Sequence, residues 1–204
     1  MKPSPAAWLN ALPDFCFAAA FAVTWIAPDT FGRQTVRFLV LVMLMEFIVV
    51  HSTAFMGNVV VSRAGRGARA GAVAGFGVFY SLFAGAIALA FKSWWPITTF
   101  WGQTLNRLLG VLLGQAPDEE QKAFIRRSWA ASMIFYLVGC FATIILPIPA
   151  LGVTPAVVAA QHFSASGAWV EAPERALAFG VLYFALTGWS DLRGHRWVRV
   201  GPNG

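Results

Sequence analysis

Apolar residues in this chain run in long blocks and do not alternate with polar ones. A bilayer core of about 30 Å needs about 20 apolar residues of helix. Six blocks reach or approach that length: about 7–27, 35–60, 71–91, 94–113, 128–146 and 174–190. The pattern predicts an all-α membrane protein, one domain built as a polytopic bundle of about six transmembrane helices. The blocks differ in purity. Pro13 and Asp14 interrupt the first, Glu46 and His51 lie in the second, and Arg107 lies in the fourth. The fifth stops at Pro147 and Pro149.

The segments between blocks carry their own signals. Thr154 before Pro155 reads as a helix N-cap and first helical residue. The outer loop of about 148–172 is therefore expected to hold a short apolar helix ending near His162, either on the membrane surface or capping the bundle. Asp118, Glu119 and Glu120 follow Pro117. Negative charge favours a helix N-terminus, so the fifth helix is expected to start here, outside the membrane.

Composition sharpens the class. The 204 residues are 58% hydrophobic and only 12% charged, with a mean hydropathy of +0.64. Soluble domains carry about 25% charged residues. The sequence thus excludes a soluble enzyme and a disordered chain, and two cysteines exclude a secreted disulfide scaffold. Cys16 and Cys140 both sit in apolar runs and read as small buried hydrophobes.

The net charge of +6 would suggest nucleic acid in a soluble protein. Its distribution points to lipid instead. With six spans, Lys2, Arg63, Arg66, Arg69, Lys122, Arg126, Arg127, Arg193, Arg196 and Arg199 share one side. Arg33, Arg37, Lys92 and Arg175 share the other. Lys and Arg collect on cytoplasmic loops, so both termini are expected in the cytoplasm. Tryptophans favour the interface. Trp8, Trp129 and Trp189 fall at inner span ends, Trp25, Trp94 and Trp95 at outer ones, and Trp101 deeper. The first block, broken by Asp14, reads as a retained signal anchor. Compactness and high Ala and Gly content place the expected protein in a bacterial cytoplasmic membrane.

Gly102, Asn106, Gly110 and Gly114 recur every four residues in the fourth block, and Gly71 and Gly75 share that spacing in the third. Small residues at this interval let helices approach closely. The expectation is packing inside the monomer, with a homo-oligomer or larger membrane complex as the alternative use.

Candidate chemistry is confined to intramembrane polar groups, which are costly and usually face a bundle interior. The candidate site comprises Asp14, Glu46, His51, Asn58, Asn106 and Arg107. Glu46 and His51 are separated by about 7.5 Å along the helix and about 140° around it. Polar groups on two sides of one helix place the second span at the bundle centre. Asp14 and Arg107 lie at similar depth, roughly 10 Å in, and are weighed as an ion pair. The alternatives are that Arg107 snorkels to the headgroups, or that Asp14 caps a helix beginning at Phe15.

No cofactor or metal is assigned. Only His51 lies in a span, against the pair needed for bis-His haem. Met43 and Met45 are about 200° apart, so Met43, Met45, Met56 and Met133 read as core. No G-x-S-x-G, H-E-x-x-H, Walker or C-x-x-C motif occurs. Three functions remain. The first is a structural or accessory membrane component packing with partner subunits. The second is a small transporter or channel with Glu46 and His51 on a proton or cation path. An intramembrane enzyme comes last, for want of a nucleophile or metal set.

Overall fold

The computed structural model describes residues 4–114 and 117–198, and every regular element in them is helical. The helices are α1 (Pro5–Ile26), α2 (Thr35–Val61), α3 (Arg66–Ala90), α4 (Trp95–Leu113), α5 (Glu119–Ile145), α6 (Pro155–Ala160), α7 (Ala168–Glu171) and α8 (Pro173–Leu192). Four of them, α1, α2, α3 and α5, are long and apolar enough to cross a membrane. The two remaining long helices, α4 and α8, have 19 and 20 residues. They are more polar: α4 carries Gln103, Asn106 and Arg107, and α8 carries Glu174, Arg175 and Asp191. Lys2 and Arg199, which contribute to the charge asymmetry, lie outside the described residues, as do both chain ends.

Helix starts follow local chemistry. Ser4 caps α1, its Oγ accepting from the Ala7 N–H at 3.2 Å. The helix then runs through Pro13 without restarting at Asp14, so Asp14 is no cap. Pro13 has no N–H to give the preceding turn. Within a helical bundle that loss is tolerated, because neighbouring groups can satisfy the freed carbonyl. As expected, α5 begins at the acidic run. Asp118 accepts from Gln121 N at 2.8 Å, and Gln121 Oε1 accepts from Asp118 N at 3.4 Å, a reciprocal capping box. Thr154 and Pro155 open α6 as expected, but that helix ends at Ala160, short of His162.

The α6 segment caps the bundle. Gln161 is buried, and its Oε1 accepts from Arg37 N at 3.1 Å while its Nε2 donates to Arg33 O at 2.8 Å. One side chain thereby satisfies an unpaired N–H of the first turn of α2. Arg37 in turn donates to the Phe91 carbonyl at the end of α3. Trp25 Nε1 donates to Pro149 O at 2.9 Å, tying α1 to the same loop region.

Helix α2 is the central element and packs against α1, α3, α4, α5 and α8. Apolar clusters form on either side of it. One joins α1, α2, α5 and α8 through Phe21, Met43, Tyr136, Phe179 and Tyr183. The other joins α2, α3 and α4 through Met45, Met56, Val73, Tyr80 and Phe100. Three of the four methionines considered above are thus buried core groups, and Met133 packs against the first cluster.

Glycine does not pack where the four-residue spacing pointed. Gly71, Gly75, Gly102 and Gly110 are exposed, with space around a Cβ built on each. The expectation that these stripes pack inside the monomer is therefore corrected. The glycines that admit a neighbour are others: Gly77 of α3, where a Cβ would meet Thr104 and Trp101 of α4 as packing inside the monomer requires, and two on α8. A Cβ at Gly180 would run into the Phe21 ring, and one at Gly188 would sit 3.2 Å from Phe15. Both lie on α8 against α1, the most extensively packed pair of helices.

This contrast is testable by unfolding in detergent. Gly180→Val should destabilise the fold by about 1–3 kcal/mol, the usual cost of forcing volume into a packed core. Gly71→Ala should stay within about 0.5 kcal/mol of the parent, as for other surface changes. Equal losses in both would contradict the packing described.

Candidate functional site: a polar cluster between α1, α2 and α8

The candidate residues fall into separate places. Glu46 lies on the side of α2 that meets α8. Tyr183 is 2% exposed, and its hydroxyl donates to Glu46 Oε1 at 2.6 Å. Ser132 on α5 faces the same phenol. Nearby, Tyr136 donates to the Met43 carbonyl at 3.1 Å.

His51 is not part of that cluster. Its ring packs on Phe47, one turn earlier, at 4.6 Å between centroids, and its Nδ1 is buried without a hydrogen-bond partner. Asn58 is exposed near the end of α2, and Asn106 is exposed on the outer face of α4.

Arg107 and Asp14 do not pair, which corrects that expectation. Arg107 turns from α4 onto α2, where it donates to Thr53 Oγ1 and lies 3.3 Å from Met56 Sδ. Asp14 lies on the side of α1 that meets α8, in electrostatic range of Asp191 and of Glu46. Helix register explains this. Phe15 meets Gly188 and Phe21 meets Gly180, so α1 and α8 run antiparallel and Asp14 falls within about one turn of Asp191. The expectation of an Asp14–Arg107 pair rested on similar depth, but α1 and α4 are not packed against each other to any extent.

Sequence reasoning missed the partner groups on and after α8. His195 is 1% exposed. Its Nδ1 lies 2.8 Å from Ser190 Oγ, and Ser190 Oγ also accepts from Trp197 Nε1 at 2.7 Å. The His195 Nε2 lies 2.7 Å from Asp191 Oδ1. That oxygen sits off the ring N–H direction, so the contact is electrostatic and Nε2 has no aligned hydrogen-bond partner. The signal was present: Tyr183, Thr187 and Asp191 recur every four residues, and His195 follows at the same step. It was obscured because residues 193–199 read first as a basic loop.

Chemically, the cluster offers carboxyl, phenol, hydroxyl and imidazole groups that can donate and accept hydrogen bonds. Among the described residues, no three His, Cys, Asp or Glu side chains are arranged to hold a metal ion. The two best-formed cavities lie elsewhere. One, of about 180 Å³, is lined by Leu44, Phe91, Ile144 and Trp169 among others. The second is an open groove on α3 around Gly75, Phe76 and Phe79. Neither is lined by Glu46 or His51. Comparison with protein-family models gives no match, and neither a curated protein nor a solved structure matches the chain.

The Tyr183–Glu46 bond predicts a measurable coupling. In a double-mutant cycle of Tyr183→Phe and Glu46→Gln, the interaction term should be about 1 kcal/mol, within the range found for hydrogen bonds between membrane helices. Strict additivity would show that the two groups do not depend on one another.

Proposed function

We propose that this protein is a structural or accessory component of a membrane complex, joined to partner subunits through the exposed polar strip of α4. One observation carries the reading. A small and polar strip, Thr99, Gly102, Gln103, Asn106 and Gly110, is exposed along α4, beside the exposed Leu105, Leu109 and Leu113. A lipid-facing surface is ordinarily large and apolar, because an amide in hydrocarbon loses its hydrogen bonds. Small and hydrogen-bonding residues together are the composition of a helix–helix interface. Gly71 and Gly75 are exposed on α3, whose outward side also carries Val78, Phe79 and Leu82.

In this reading all six long helices cross the membrane, both ends of the chain face the cytoplasm, and the membrane is a bacterial cytoplasmic one. The basic loops then meet anionic headgroups. The partners are lipid and other membrane helices, in a homo-oligomer or a larger complex, and nucleic acid has no part.

A proton or cation path through Glu46 and His51 is the second reading. The placement of Glu46 against Tyr183 and of His51 against Phe47, away from both cavities, gives it less support. An intramembrane enzyme built on this pair has the same difficulty.

The test is recovery of the tagged chain from its native membrane in mild detergent. Parent protein should return in an assembly larger than one chain. Gly102→Leu with Gly110→Leu should release it as a monomer without changing its unfolding temperature. Recovery of the parent as a lone monomer would overturn the proposal.

A further inference from the structure

Arg107 is a cation without an anion of its own chain. Its guanidinium carries five N–H donors and no acceptor. On α2 it donates to Thr53 Oγ1 and lies 3.3 Å from Met56 Sδ. Both groups are neutral, and a thioether is a weak acceptor. Thr53 also donates to Val49 O at 2.6 Å. Helices α2, α3 and α4, which surround the guanidinium, contain a single carboxylate, Glu46. It lies two turns from Thr53, about 10 Å along the axis, and accepts from Tyr183. The ion pairs among the described residues are Lys122–Glu119 and His195–Asp191, and neither includes Arg107. Charged groups inside membrane proteins pair with one another or with backbone carbonyls. Among the described residues, Arg107 has neither kind of partner.

Its position indicates where an anion would come from. At 100° per residue, Arg107 lies about 40° from Gln103 and about 40° the other way from Val111. Gln103 belongs to the exposed strip with Asn106 and Gly110, whereas Val111 is buried with Phe100 and Thr104. The guanidinium therefore stands at the seam between the strip and the packed face of α4, and Arg107 is only partly buried. It also stays deep. Thr53 and Met56 lie about 12 and 8 Å from the last residue of α2. An arginine paired with headgroups extends its stem toward the helix end. This one turns sideways at the depth of Thr53 and Met56.

We propose that Arg107 is one half of an ion pair whose other half is an Asp or Glu in a transmembrane helix of a different protein, seated on the α4 strip. The proposal rests on the accessory reading and names the chemistry of the partner. A carboxylate fits the place. Its two oxygens can accept two guanidinium N–H groups in parallel, and the amides of Gln103 and Asn106 offer donors beside them. Gly102 and Gly110 let the backbone of the partner helix come close.

A second copy of this chain does not supply the carboxylate. Asp14 lies on the side of α1 that meets α8, Glu46 is bonded to Tyr183, and Asp191 lies against His195. Each is turned to its own bundle. The other acidic residues stand in loops or at helix ends.

The experiment is recovery of the tagged full chain from its native membrane in mild detergent, with every bound species identified by mass. The parent should bring down a membrane protein with an Asp or Glu inside an apolar span. Arg107→Gln should lower that recovery by about tenfold, near the upper end for a polar contact between membrane helices. Changing the partner's carboxyl to its amide should cause the same loss, and combining the two changes should add little. Exchanging the charges, Arg107→Asp with carboxyl-to-arginine in the partner, should restore the assembly. A parent recovered with a partner lacking a carboxyl in any span, or with copies of itself alone, would overturn the proposal while leaving the accessory reading intact. That outcome needs no variant to fold. Full recovery of the partner with Arg107→Gln would overturn it too. So would loss of a bound phospholipid from Arg107→Gln with the protein partner retained, which would assign the guanidinium to a headgroup. A parent recovered alone would overturn both readings.

Discussion

A polar side chain deep in a bundle of apolar helices must find its partner within the protein, because hydrocarbon offers none. The arrangement around α2 follows from this constraint. Glu46 on one side requires a donor, and Tyr183 of α8 supplies it. Arg107 from the other side requires acceptors, and Thr53 and Met56 supply them. A helix called on from both sides has to be covered on both, and α2 accordingly contacts every other long helix. The apolar clusters fill the space that these polar contacts leave.

Much of this was legible in the sequence. Block length located the helices because hydrocarbon thickness sets how many apolar residues a span needs. Pro117 with the acidic run, and Thr154 with Pro155, marked helix starts because capping is local chemistry. The central position of α2 followed from the angle between Glu46 and His51. What failed was partner assignment. Depth along the membrane is a one-dimensional quantity read from position in a span. Which helices face each other is set by the packing of large side chains against small ones. Asp14 was therefore assigned to Arg107 by depth yet lies on the α8 side of α1, because Gly180 and Gly188 let α8 close onto Phe21 and Phe15.

The glycine stripes teach a related lesson. Four-residue spacing identifies a smooth strip on a helix but not the molecule that covers it. In α8, Gly180 and Gly188 lie on either side of Phe184 and are covered by α1 of the same chain. In α4 the strip is not covered, and amide side chains lie along it. The difference could not be read from spacing alone. It depends on which face of each helix the surrounding contacts had already used.

The two apolar clusters share α2 and little else. Among the long helices the α3–α4 hairpin packs chiefly on α2, while a third small cluster of Leu41, Phe91 and Val170 ties its turn to the α6–α7 region. Regions with separate cores tend to open as separate cooperative units. A pull on the hairpin from outside is therefore borne by α2 as a single strut, and its rotation would carry Thr53 and Glu46 together. The arginine anchor on one side and the tyrosine anchor on the other thus sit on one shared axle.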